Sequence, residues 1–88
     1  MLSFPGAMKV VWLLFAIARE RAGCSEVAIE LPSGSRVTDA ARELARRCPM
    51  LDDVIPRARI AVGQQFTDLD HMLVDGDRLA LIPPVSGG

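Results

Sequence analysis

The sequence closes on Pro83-Pro84-Val85-Ser86-Gly87-Gly88, and its last atoms hold the most chemistry in the chain. A free carboxylate at Gly88 would have a pKa near 3.5 and be ionised at neutral pH. An ionised carboxylate is a poor electrophile. It reacts only after conversion to a species with a good leaving group, such as an acyl-adenylate made with ATP, and that chemistry needs a second protein. The two prolines launch the segment in an extended direction, six residues reach about 20 Å, and Gly87 and Gly88 can thread a channel no wider than a backbone.

The other reactive side chains do not converge. His71 is the sole histidine, and the sequence sets no Ser or Cys beside it with a third orienting group. Cys24, Cys48 and His71 lack zinc-ligand spacing, so no metal site is expected. Two cysteines are too few for a disulfide scaffold, and both read as free thiols of a cytoplasmic protein. Asp68, Asp70, Asp75 and Asp77 lack the glycine and glutamate positions of a calcium loop and read as a solvated turn region. No phosphate-cradling glycine motif is present.

These residues must be held by a small body. At 88 residues the chain makes one domain, burying roughly 63% of its unfolded surface. That supports a thin core but no deep pocket. The chain is 50% hydrophobic and 24% charged, a globular balance, and a net charge of −1 provides no field for nucleic acid. The apolar run Val10 to Ala18 ends in an A-x-A pattern, but it is too short for a signal peptide and far short of a membrane span. Met1 to Ala7 lacks periodicity and reads as a flexible extension, with Met8 as an alternative start.

Val10 to Phe15 reads as a strand buried on both faces, and Val27, Ile29 and Leu31 as a half-buried strand. The intervening Ala16 to Ala22 has room for a helical turn. Val37, Ala40, Ala41, Leu44, Ala45 and Cys48 form one apolar stripe at helical spacing, capped by Ser35 or Thr38 and stopped by Pro49. Glu43 and Arg47 form an i,i+4 pair. Ile60 to Val62 and Arg78 to Ile82 read as strands, and Asp75-Gly76 as a tight turn. The sum is an α+β fold of about four strands in a mixed sheet, with one main helix across one face. The domain then spans residues 8–82, followed by the tail 83–88.

One helix covers one face. By strand parity Val10, Trp12 and Leu14 point one way and Val11, Leu13 and Phe15 the other, while Leu79 and Leu81 oppose Arg78, Ala80 and Ile82. The uncovered face should therefore carry an apolar patch where the tail leaves, of the kind that marks protein interfaces, unless the loop Leu51 to Ile55 covers it.

Three blocks carry a resemblance: Phe15-Ala16-Ile17-Ala18-Arg19-Glu20-Arg21-Ala22-Gly23, Asp70-His71-Met72-Leu73-Val74-Asp75-Gly76-Asp77, and Leu79 through Gly88. They resemble the MoaD/ThiS family of ubiquitin-like sulfur carriers, and the Pro-Pro-Val-Ser-Gly-Gly ending resembles its molybdopterin synthase branch. The resemblance implies a β-grasp fold and a sulfur carrier for molybdenum cofactor biosynthesis, with no cofactor of its own. An E1-like adenylyltransferase would adenylate Gly88 with ATP. A cysteine desulfurase or rhodanese-like donor would convert it to a thiocarboxylate, and the tail would enter the large subunit of a heterotetrameric synthase that holds the catalytic groups. Gly87 keeps the tail thin, and Pro83, Pro84, Val85 and Ser86 carry it. Phe15, Phe66 and Ile82 match the family's docking surface, with Arg19 as a polar contact. Neither membrane nor nucleic acid is implied. Other carriers in this class serve thiamine, cysteine or tRNA thiolation, and a ubiquitin-like modifier or a plain interaction domain would keep the same fold. Gly63 replaces the family's usual Asn, which bears on the local turn.

Overall fold

A computed structural model describes residues 6–84. Its elements run β1 (Ala7–Leu14), α1 (Ala16–Ala22), β2 (Glu26–Pro32), α2 (Val37–Arg47), β3 (Arg59–Val62), β4 (Gln65–Thr67) and β5 (Arg78–Ile82), with single 3-10 turns at Pro49–Leu51 and Ile55–Arg57. The strands form one sheet in the order β2-β1-β5-β3-β4. β1 and β5 are parallel at its centre, and the other neighbours are antiparallel. This is the β-grasp arrangement, with five strands where the sequence predicts four.

The fifth strand is β4. It is three residues long and enters through Gly63 and Gln64, whose φ angles of 58° and 71° close a two-residue hairpin turn. Strand β1 starts at Ala7, inside the segment read as an extension. Gly6 is tied down as well, because its carbonyl accepts the Ser33 N–H at 2.6 Å. Residues 1–5 lie outside the described part.

Parity governs β1, although only one of its faces is fully buried. Met8, Val10, Trp12 and Leu14 are buried, whereas Val11 and Leu13 are half-buried. The buried set joins Ile29, Leu31, Leu79 and Leu81 beneath α2, which contributes Val37, Ala40 and Leu44. Trp12 locks the two layers, since its Nε1–H donates to the Ala40 carbonyl at 3.1 Å. Leu51 and Val54 belong to this same core. The loop that carries them therefore packs on the helix side and leaves the opposite sheet face open.

The start of α2 is capped from a distance. The predicted caps Ser35 and Thr38 do not serve. The N-cap residue is Arg36, whose N–H donates to Asp39 Oδ2 at 2.8 Å. The Val37 and Thr38 N–H groups donate to the carbonyls of His71 and Leu69, both at 3.0 Å. The acidic turn works similarly. Asp75 Oδ1 accepts the Lys9 N–H and Asp77 Oδ2 the Val74 N–H, both at 2.8 Å, around Gly76 at φ 89°. These carboxylates fix backbone geometry in the turn.

Candidate docking face and tail root

The open face is built by register. Glu26 pairs with Leu13, Leu13 with Ala80, Ala80 with Ala61, and Ala61 with Phe66, giving one row across all five strands. The two alanines are small, so the row dips in the middle, and Leu13 and Phe66 rise on either side. Phe15 and Ile82 close the end from which the tail leaves. The result is a depression of about 530 Å³, floored by Ala61 and Ala80 and rimmed by Leu13, Phe15, Phe66 and Ile82. Phe15 is 44% exposed and Phe66 54%. The structure thus brings together the three apolar residues singled out from the sequence. Ala61 was missed as a site residue. It stands opposite Phe66 in the hairpin, a pairing invisible without β4.

The chain turns sharply after β1. Ala16 holds φ 53°, a left-handed conformation unusual for a residue with a Cβ, and α1 begins there. That bend sets Phe15 at the sheet end and starts α1 beside the last strand. Arg19 is exposed on α1, outside the residues that line the depression.

The tail root is anchored. Pro83 is buried and Pro84 exposed. Both border a second hollow of about 370 Å³ formed with Ile17, Arg21, Val54 and Arg57. Asp53 ties its walls together: Arg21 Nη1 donates to Asp53 Oδ1 at 2.6 Å, and Arg57 Nη2 lies 3.7 Å from Asp53 Oδ2. Pro83 and Pro84 are therefore seated against α1 and the 53–57 turn. Val85, Ser86, Gly87 and Gly88 lie outside the described residues.

The remaining candidates stand apart from this face. His71 is exposed and serves α2 through its backbone carbonyl. Cys24 is exposed and Cys48 buried, both as free thiols, and burial pushes the Cys48 thiol up from its ordinary pKa. Among the described residues no three His, Cys, Asp or Glu side chains are grouped to hold a metal ion. No described helix is long and apolar enough to cross a membrane.

Among the described residues this geometry offers an open apolar surface and a tail root seated at Pro83 and Pro84. The ThiS family profile matches residues 12–88, from the centre of β1 through the tail. The chain belongs to the ThiS family. The molybdopterin synthase sulfur carrier subunit of Arabidopsis thaliana is 34% identical over 82 residues, covering 93% of this chain and 85% of that protein. The crystal structure of SAMP1 from Haloferax volcanii superposes with a TM-score of 0.85 at 30% identity, covering 91% of this chain and 99% of that one. A protein–protein complex of subunits 1 and 2 of molybdopterin-converting factor from Helicobacter pylori contains a chain of the same fold. Its TM-score is 0.67 at 24% identity, covering 92% of this chain and 100% of that one. The ThiS-family match includes the row that forms the open face, and with it the residues that border the tail root.

Proposed function

We propose that this chain is the sulfur carrier subunit of a molybdopterin synthase and acts in molybdenum cofactor biosynthesis in the cytoplasm. The observation that carries the reading is the open apolar depression at the sheet end where an anchored tail departs, in a member of the ThiS family whose curated relatives include sulfur carrier subunits. Gly88 is the reacting residue. On an E1-like partner its carboxylate attacks the α-phosphate of ATP, releasing pyrophosphate and forming an acyl-adenylate. The outer sulfur of a persulfide on the donor attacks the acyl-adenylate and displaces AMP, forming an acyl disulfide. A second thiol then attacks the donor's sulfur, leaving the thiocarboxylate on Gly88 and a disulfide on the donor. The tail then enters the large subunit, in a heterotetramer of two copies of each, and passes its sulfur to the pyranopterin precursor. Gly87 keeps the passage narrow, and the acid–base groups belong to the large subunit. Phe15, Phe66 and Ile82 form the docking face, Arg19 adds a polar contact, and residues 83–86 span the distance to the partner's site.

The test is mass spectrometry after incubation with ATP, the activating enzyme and a sulfur donor. A gain of about 16 Da, oxygen replaced by sulfur, is expected for the intact chain and not after deletion of Gly88. Absence of that gain in the intact chain would overturn the carrier reading. The likeness to SAMP1, a small archaeal modifier protein, favours a second reading in which Gly88 is joined to lysine side chains. Isopeptide-linked adducts of Gly88 in cell lysate would support that reading.

A further inference from the structure

The arginines divide into two groups. Arg21, Arg42, Arg46, Arg47, Arg57 and Arg78 each have a carboxylate oxygen within 3.8 Å, and Arg36 donates to the Asp70 carbonyl at 2.9 Å. Among the described residues, Arg19 and Arg59 have neither kind of partner. Arg59 is the informative one. It opens β3 directly opposite Ile82, the last residue of β5, so it stands on the open face at the tail-exit end. Its guanidinium lies 3.8 Å from the centroid of the Phe66 ring, a ring that rims the apolar depression and also lines the neighbouring hollow to which Arg59 itself belongs. Stacking satisfies the face of a guanidinium and leaves its N–H groups pointing outward, in the fork geometry that matches a carboxylate. By contrast Arg78, at the other end of β5, faces Glu26 at 3.4 Å.

At its tail-exit end the open face therefore carries a guanidinium with no carboxylate partner among the described residues, and at the opposite end one that Glu26 pairs. A partner closing over Phe66 and Ile82 would strip water from Arg59. Desolvating an unpaired cation is costly, so a partner that binds well must bring a carboxylate to it. We propose that Arg59, held by Phe66, is a recognition residue for an Asp or Glu side chain on the large synthase subunit. That carboxylate would orient the partner so that its entry channel meets the tail. This inference rests on the carrier reading above and adds a determinant of specificity to it.

The experiment measures binding of the full chain to the recombinant large subunit at low salt and at about 0.5 M salt, where exposed charge pairs are screened. Arg59→Gln keeps a planar group for the ring and removes the charge, Arg59→Glu reverses it, and Arg46→Gln removes an exposed charge of α2 that borders neither the depression nor the hollow beside Arg59. Melting curves establish that each variant is folded. We expect Arg59→Gln to weaken binding roughly tenfold at low salt and much less at high salt, Arg59→Glu to weaken it further, and Arg46→Gln to stay within about twofold. Arg59 variants that bind within twofold of the parent at low salt, or that lose equally at both salts, would overturn the proposal and leave the carrier reading intact. Failure of the parent chain itself to bind the large subunit would overturn both.

Discussion

Replacing Phe66 by Ala should separate docking from folding. Phe66 is 54% exposed on the edge strand β4. A phenylalanine presents roughly 200 Å², which leaves about 110 Å² for a partner to cover. At about 25 cal/mol per Å² that area is worth ~2.7 kcal/mol, or about a hundredfold in Kd. The part already buried, about 90 Å², stabilises the fold by ~2.3 kcal/mol at most, and by nearer ~1.8 kcal/mol once the compactness of the unfolded chain is counted. The expected fall in Tm is therefore about 10 °C, and the domain remains folded in the binding assay. Leu81→Ala is the complementary change. Leu81 is fully buried on the opposite face of the sheet, so its loss should cost about 2–5 kcal/mol of stability and remove no atom from the docking face. Calorimetric titration against the large subunit, paired with thermal melts, reads both quantities. Phe66→Ala binding within about threefold of the parent while folded would mean that the depression around Phe66 is not covered by that partner.

Three further outcomes follow from single features. Gly76→Ala should destabilise by about 1–2 kcal/mol in a denaturant titration: the site is open, so the cost is the φ of 89° alone. Hydrogen bonds from Arg46 hold the Glu43 carboxyl below its ordinary range, with Arg47 as the weaker partner at 3.5 Å. A lowered folded-state pKa stabilises the fold above the unfolded value of about 4.3 and ceases to do so as pH falls through the folded value. Glu43→Gln should thus cost about 0.5 kcal/mol at pH 7, and the gap to the parent should close in acid melts. With a thiol reagent, exposed Cys24 should react at once, and Cys48, buried and with its pKa raised, only at the rate of local opening.

What the sequence made legible was local in origin. The stripe from Val37 to Cys48 repeats at helical spacing within twelve positions, and the alternation in β1 and β5 sorts each residue to a face without any knowledge of pairing. Phe15 and Ile82 emerged from that parity before any pairing was known. Features that depend on distant partners stayed hidden. Strand β4 is three residues long and follows a Gly-Gln turn in place of the usual Asn-Gly, so neither its length nor its entry announces a strand. The α2 cap could not be read from Ser35 or Thr38, because the acceptors are the carbonyls of Leu69 and His71, more than thirty residues away. Arg47 was the apparent partner of Glu43, yet Arg46 makes the shorter contact, a choice of rotamer that spacing does not decide. The Arg59–Phe66 stack needs β4, and the sequence did not reveal that strand.

The parallel pairing of β1 with β5 at the centre of the sheet has a consequence for synthesis. β5 is the last of the described strands in chain order, and so the last of them to be synthesised, and it fills the middle of the sheet, between β1 and β3. Until it arrives, β1 has only β2 beside it, and the core lacks Leu79 and Leu81, both fully buried. Closure by so distant a pairing is slow compared with local helix formation. A nascent or truncated chain therefore offers no finished open face, and under the proposed function the tail would be presented to a partner only by a domain whose folding is complete.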